Sequence, residues 1–272
     1  MEILIPVLTL AVLGLLFGIG LAVASKKLAV KTDPKLDKII GLLPGANCGA
    51  CGGAGCFGFA ESILSGKLSI DACRVSAEAV KEQIAVLLGK KLDKLEKRVA
   101  VLHCHGGSKR AKDKFNYEGI KDCVAANMLH GGPKACGYGC IGYGTCVGVC
   151  PFGAITMSNE GLPVINADKC TACGKCVGIC PKRLFTLIPV VKAYAVRCKS
   201  LDSGKKVMDA CSVGCITCRK CEKACPIQAI KIVDNLPVID YNICDNRAEC
   251  FKACPVNAIA QKVDKVWKNR ID

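Results

Sequence analysis

The residues of this chain with the clearest chemical meaning are cysteines at short, regular spacing. One stretch reads Cys170-x2-Cys173-x2-Cys176-x3-Cys180-Pro181. The pattern C-x2-C-x2-C-x3-C-P binds paired iron–sulfur clusters: three thiolates hold one [4Fe–4S] cluster, and the fourth ligates the other cluster of the pair. A structural zinc ion instead takes two separated cysteine or histidine pairs. The third cysteine and the Cys-Pro ending therefore predict iron–sulfur clusters rather than zinc.

The C-terminal part of the chain is a duplicated module, and each module consists of two similar halves that end in Cys-Pro. The segment Cys123-x12-Cys136-x3-Cys140 recurs as Cys198-x12-Cys211-x3-Cys215. Exchange of the fourth ligand between halves predicts four clusters, numbered 2 to 5. The ligand sets are Cys136, Cys140, Cys146 and Cys180 for cluster 2; Cys150, Cys170, Cys173 and Cys176 for cluster 3; Cys215, Cys218, Cys221 and Cys254 for cluster 4; and Cys225, Cys244 and Cys250 for cluster 5.

Two of these predicted clusters depart from the regular spacing. In cluster 2 the middle position is Tyr143, so Cys136 is the expected substitute, with Cys123 as the alternative. In cluster 5 the middle position is Arg247. There, either Cys198 or Cys211 completes the site, or the cluster is a [3Fe–4S] type, or one iron is open, or the site is empty.

A further cysteine group precedes the modules and predicts cluster 1. It reads Cys48-x2-Cys51-x4-Cys56-x16-Cys73 and is embedded in glycines. Glycine lets the backbone approach a cluster and donate N–H groups to its sulfides. Four cysteines fit one [4Fe–4S] cluster, with a zinc knuckle as the alternative. The total is about five [4Fe–4S] clusters, the fifth being uncertain.

Four cysteines remain outside these sets, and we expect them to be buried structural thiols: Cys104, Cys123, Cys198 and Cys211. The segment Gly137–Gly142 matches G-x-G-x-x-G, but it is interleaved with cysteines and lacks a strand–turn–helix context. No nicotinamide site, flavin site or catalytic residue is evident in the sequence. We therefore expect chemistry on a substrate to take place in a partner protein.

The N-terminal segment indicates the cellular compartment in which these cysteines lie. Residues Ile3 to Ser25 carry no charge and are long enough to span a bilayer. A cleaved signal is the alternative, but the start lacks a basic segment. Lysines follow at once, among them Lys26 and Lys27, so the positive-inside rule places the remainder in the cytoplasm. Thiols stay reduced there, which favours metal binding over disulfides.

These elements predict an α+β protein. We expect a transmembrane anchor at 1–25, a basic linker at 26–40, a small four-cysteine [4Fe–4S] domain with a following helix at 41–98, and tandem ferredoxin-like modules at 99–190 and 191–272. Apolar residues at helical spacing predict the helix over 76–98, and Val99 to Leu102 predict a strand.

The chain resembles the B subunit of the Rnf complex, an ion-translocating ferredoxin:NAD oxidoreductase. The resemblance rests on the N-terminal anchor, the GANCGACGGAGC stretch with Cys73, the GGPKACGYGC segment at 131–140 and the ferredoxin pairs. It is closest to the longer anaerobe type with two pairs. The resemblance implies that Cys48, Cys51, Cys56 and Cys73 hold the membrane-near cluster. It further implies that the modules carry electrons from reduced soluble ferredoxin to other membrane and flavin subunits.

The net charge of +15 would suit docking of an acidic ferredoxin, because opposite charges accelerate encounter. Nucleic-acid binding is not expected, since aromatic residues are scarce and the lysines are scattered. The alternative function is a membrane-anchored redox relay or sensor-reducing protein without ion transport. A soluble zinc-rich scaffold is a third hypothesis.

Overall fold

The computed structural model describes residues 4–27, 33–92, 96–202 and 204–270. It divides into two compact units, Met1–Leu42 and Leu43–Asp272. The first unit contains helices α1 (Leu4–Lys27) and α2 (Pro34–Leu42). Within α1, the segment Val7–Lys27 is long and apolar enough to cross a membrane. Its large apolar side chains are exposed.

The second unit holds the cysteines on short elements. Its helices are α3 (Gly55–Leu64), α4 (Glu78–Leu88), α5 (Gly107–Arg110), α6 (Cys123–Met128), α7 (Thr145–Gly148), α8 (Lys175–Ile179), α9 (Gly204–Ala210), α10 (Lys220–Ala224) and α11 (Glu249–Ala253), with a 3-10 turn at Ile70–Ala72. Its strands are β1 (Arg98–Leu102), β2 (Ile155–Met157), β3 (Pro163–Ile165), β4 (Phe185–Pro189), β5 (Tyr194–Val196), β6 (Ile230–Val233), β7 (Leu236–Ile239), β8 (Ile259–Val263) and β9 (Val266–Lys268).

The helix expected over 76–98 is shorter than its apolar pattern indicates. Helix α4 ends at Leu88, because Gly89 adopts a left-handed conformation with φ of 63° and caps the helix. Residue Leu92 lies beyond this cap, and 93–95 lie outside the described residues. The predicted strand is present as β1, in which four of the five residues are buried.

Small antiparallel sheets frame the cysteine loops. Strand β1 pairs with β4, and β2 pairs with β3. The other two sheets have the order β5-β8-β9 and β6-β7. Each sheet takes its strands from one side of residue 190, and we therefore keep 99–190 and 191–272 as the proposed modules.

The four half-modules share one local design. In each, a cysteine loop ends in a residue with left-handed backbone, and a short helix begins at once. These residues are Gly144, Gly174, Arg219 and Ala248, and they precede α7, α8, α10 and α11. The turn reverses the chain tightly, so that the cysteine after the turn can face the same cavity as the first cysteine of the loop.

The two modules pack against each other. Ala195, Ala260 and Trp267 of the second module lie in one buried cluster with the strand β1 and the cysteines of the first. The backbone N–H of Ala167 donates to the carbonyl of Lys265, with a length of 3.1 Å. Because aliphatic residues and cysteines share this core, bound clusters would form part of the interior.

Candidate metal centres

One cavity brings together the four cysteines predicted for cluster 3, and we call it site 3. It has a volume of about 330 Å³ and is lined by cysteines from two halves of the first module. The cysteines are Cys150, Cys170, Cys173 and Cys176. The N–H of Ala100, on β1, donates to the Cys170 sulfur at 3.4 Å. The crossed arrangement follows from the Cys-Pro step, which sends Cys150 toward the neighbouring loop.

The second module contains the equivalent cavity, site 4. It also measures about 330 Å³, and its cysteines are Cys215, Cys218, Cys221 and Cys254. The N–H of Ala258 donates to the Cys254 sulfur at 3.2 Å. Among the 23 cysteines, all of which lie in described segments, Cys218 is the exposed one. Site 4 therefore reaches the surface.

Site 2 differs from its prediction in one residue. Its cavity of about 390 Å³ is lined by Cys123, Cys140, Cys146 and Cys180. Cys136, the substitute expected from spacing, lines a different cavity. A turn in which the N–H of Gly139 donates to the Cys136 carbonyl separates these neighbouring cysteines. We therefore propose Cys123 as the fourth ligand of site 2.

Cys123 reaches site 2 because its helix is fixed at the first residue. Asp122 caps α6 by accepting from the N–H groups of Val124 and Ala125. The other carboxylate oxygen of Asp122 accepts from the Thr145 hydroxyl at 2.7 Å, and the Thr145 oxygen accepts from the Cys123 N–H at 2.7 Å. The start of α6 is thus tied to the residue before Cys146. No spacing rule would have indicated this contact.

Site 1 is the set of N-terminal cysteines proposed from the sequence, which comprises Cys48, Cys51, Cys56 and Cys73. Burial raises the pKa of the Cys51 thiol, and the neighbouring Cys73 and Cys48 raise it further. The Cys73 sulfur accepts from the Ser76 hydroxyl at 3.1 Å. The Cys56 N–H donates to Asn47 Oδ1 at 2.8 Å, which fixes the start of α3.

One glycine of this loop has no room for a side chain. A Cβ atom on Gly53 would lie 2.8 Å from both the Cα and the backbone N of Phe59, a buried residue of α3. Gly53→Ala should lower the free energy of unfolding of this domain by about 1–3 kcal/mol. The denaturation midpoint and the iron content of the holoprotein should both fall. Gly178→Ala, where nothing lies within 4 Å, is the control. Equal midpoints for the two variants would contradict the prediction.

Three cysteines approach one another at site 5, which comprises Cys225, Cys244 and Cys250. Burial raises the pKa of Cys250 to about 11, and Cys244 and Cys225 raise it further. Arg247 stays at the surface, where its Nε donates to Asp245 Oδ2 at 2.5 Å. Cys198 and Cys211, considered as completing ligands, line another cavity. Site 5 therefore offers three thiols.

The donor set fits an iron–sulfur cluster. Four cysteines line each of the cavities at sites 2, 3 and 4. Thiolates are the ligands of iron–sulfur clusters, and N–H groups directed at sulfur tune their potential. These residues would hold [4Fe–4S] clusters.

Neighbouring sites pack together, since one buried cluster contains Cys146 of site 2 with Cys176 of site 3, and another contains cysteines of sites 4 and 5. Cys48 of site 1 raises the pKa of Cys173 in site 3, after the larger effect of burial. Cys146 of site 2 contributes in the same way to the raised pKa of Cys176 in site 3. In the second module, Cys250 of site 5 has the same effect on Cys221 of site 4. The sites thus follow one another as 1–3–2 and as 4–5.

Two known protein families match segments of this chain, one at the N-terminal cysteines and one in the first module. A family model for an Fe–S cluster domain matches residues 43–75, which contain site 1. A model for a 4Fe-4S dicluster domain matches residues 139–184, which contain most of sites 2 and 3.

Whole-chain relatives extend the match. The B subunit of the proton-translocating ferredoxin:NAD(+) oxidoreductase complex of Clostridium ljungdahlii is 45% identical, over 88% of this chain and 85% of its own length. The B subunit of the Na(+)-translocating complex of Acetobacterium woodii is 43% identical over 96% of this chain and 79% of its own. The B subunit of the ion-translocating oxidoreductase complex of Methanosarcina acetivorans is 41% identical over 92% and 95%.

This chain belongs to the family of Rnf B subunits. The resemblance inferred from the sequence is therefore confirmed. The Fe–S domains of this Rnf protein indicate electron transfer within a multi-subunit complex. The α+β class is confirmed as well, with one N-terminal helix apolar enough to span a membrane.

Proposed function

We propose that this chain is the electron-accepting subunit of an Rnf-type ion-translocating ferredoxin:NAD oxidoreductase. It would take electrons from reduced soluble ferredoxin and pass them to membrane and flavin subunits. Each bound [4Fe–4S] cluster would supply a one-electron carrier. The observation that supports the proposal is that the cysteine sites lie next to one another. The rate of electron transfer falls steeply with distance, so an electron path requires closely spaced carriers.

The second module is the proposed side at which electrons arrive. Cys218 of site 4 is exposed, and exposed Arg219, Lys220 and Lys223 lie beside it. Cationic side chains beside an accessible cluster site favour encounter with an acidic ferredoxin. Site 1 would then be the point of exit toward the membrane subunits.

The proposed location is the cell membrane, with the second unit on the cytoplasmic side. Helix α1 would be a single-pass anchor, since it contains the 21-residue apolar segment. The basic residues in its last turn, Lys26 and Lys27, support this orientation.

Reconstitution with the partner subunits in sealed vesicles tests the function. Reduced ferredoxin should drive NAD reduction together with sodium or proton movement across the vesicle membrane. Omission of this chain alone should abolish both. NAD-independent oxidation of ferredoxin without ion movement would instead favour the alternative, a membrane-anchored redox relay.

A further inference from the structure

Four cysteines remain outside sites 1 to 5, yet the fold assembles them in one place. Cys104, Cys136, Cys198 and Cys211 line a single cavity of about 380 Å³. They come from four separate segments, two from each proposed module. Four cysteines line this cavity, as they do at sites 2, 3 and 4. We call this cavity the bridging site.

The sulfurs of the bridging site face a common space. A Cβ atom on Gly106 would lie 3.4 Å from the Cys211 sulfur and 3.8 Å from the Cys104 sulfur. Cys136 and Cys198 line the same cavity.

Backbone contacts between the modules hold the four segments together. The N–H of Lys112 donates to the carbonyl of Ala210 at 3.0 Å, and the N–H of Ser212 donates to the carbonyl of Arg110 at 3.0 Å. These bonds flank Cys211. The buried Arg197 donates from its NH2 nitrogen to the Cys104 carbonyl at 2.9 Å. Hydrogen bonds between the modules therefore hold the segments that line the cavity in place.

Two further hydrogen bonds place the bridging site between sites 2 and 4. The N–H of Cys140, a site 2 residue, donates to the Cys104 sulfur at 3.4 Å. The N–H of Cys215, a site 4 residue, donates to the Cys198 sulfur at 3.3 Å. Bonds of this kind also occur at Cys170, Cys180 and Cys254. They are the N–H···S contacts that tune iron–sulfur clusters.

We propose that Cys104, Cys136, Cys198 and Cys211 hold a sixth [4Fe–4S] cluster. With it, the six sites account for all 23 cysteines of the chain. The cluster would join the succession 1–3–2 to the succession 4–5, giving one continuous line from the second module to site 1. The existence of the cluster is independent of the proposed function, whereas its role as the bridge rests on it.

Metal and sulfide analysis of the anaerobically purified full chain tests the cluster. Cys136→Ala should lose about four irons and four sulfides per chain relative to the wild type. Cys211→Ala should lose the same number, because it removes a ligand of the same site from the other module. Val213→Ala, a change in the lining of the cavity that removes no ligand, should lose none.

Three results would overturn the cluster. One is an unchanged iron content in folded Cys136→Ala. Another is one zinc ion per wild-type chain that is lost with Cys136. If the variants do not fold, the wild type still decides, since fewer than about 20 irons per chain, the content of five four-iron clusters, would contradict the proposal whether or not site 5 is filled.

Rapid reduction tests the role as bridge. Ferredoxin mixed with Cys136→Ala should still reduce the clusters of sites 4 and 5 at the wild-type rate, while the clusters of sites 1, 2 and 3 should be reduced far more slowly than in the wild type. EPR of samples frozen during the reaction can follow the two groups. Unchanged reduction of the first module in a variant that has lost four irons would overturn the bridging role and leave the cluster in place.

Discussion

The Cys176→Ala variant should lose one cluster and interrupt the electron path between the modules and the N-terminal domain. Cys176 is buried at site 3. Burial is the main reason that its pKa is raised to about 12, and the neighbouring thiols of Cys170, Cys173 and Cys146 add to the effect. Site 3 adjoins both site 1 and site 2. Losing a hydrogen-bond partner of a metal ligand costs about 10–100-fold, so losing a ligand should lower ferredoxin-dependent NAD reduction by more than about 100-fold.

Iron analysis and EPR separate this effect from general damage. Cys176→Ala should lose about four irons per chain and retain the signals of the second module. Val177→Ala is the matched control, because Val177 packs against the same core and ligates nothing. Full iron content, or near-normal NAD reduction with site 3 empty, would show that electrons do not pass through this site.

Arg247→Cys should convert site 5 into a complete four-cysteine site. Two residues would separate the new thiol from Cys244 and two would separate it from Cys250, which restores the regular C-x2-C-x2-C spacing. The present arginine lies at the surface beside Asp245. A thiolate at this position can hold the fourth iron. We expect about one additional iron per chain, with loss of the EPR signal of an oxidised three-iron cluster and gain of a reduced four-iron signal.

The matched variant Arg247→Ala removes the same positive charge and adds no ligand. It should leave the iron count unchanged and lower the site 5 potential, because a more negative surrounding disfavours electron uptake. If Arg247→Cys and Arg247→Ala give the same iron count and the same EPR spectrum, the residue does not occupy a ligand position. A wild type that already holds four irons at site 5 would point to a ligand other than cysteine.

Cysteines that the sequence places in one regular run followed by Cys-Pro line common cavities in the fold. Sites 3 and 4 are of this kind, because the tight loop and the exchanged fourth cysteine depend only on local geometry. The strand β1 was predicted for a similar reason, since buried apolar residues in a short run favour a strand. Helix α4 was predicted too long, because periodicity continued beyond Gly89, whereas the chain turns there.

Long-range contacts explain what the sequence did not predict. Cys136 lies close to Cys140 in the chain, so spacing favoured it as a site 2 ligand. Its side chain instead lines a cavity formed by the other module. The repeat suggested equal roles for Cys123 and Cys198, but the Asp122–Thr145 contact draws Cys123 to site 2. Packing between the two modules determines which cysteines meet. The cysteine spacing within either repeat does not indicate this packing.

The crossed supply of cysteines also dictates when each site can mature during synthesis. Site 1 uses only residues 48–73, so it can close soon after that segment leaves the ribosome. The proposed site of Cys104 and Cys136 cannot bind its cluster before Cys211 has been synthesised. Site 4 likewise cannot bind its cluster before Cys254 has been synthesised. Since chains emerge at about 5–20 residues per second, these thiols stay open to oxidants for seconds. Site 4 would therefore be the last to close, and a chain that stopped before Cys211 would leave the thiols of Cys104 and Cys136 without the rest of their site.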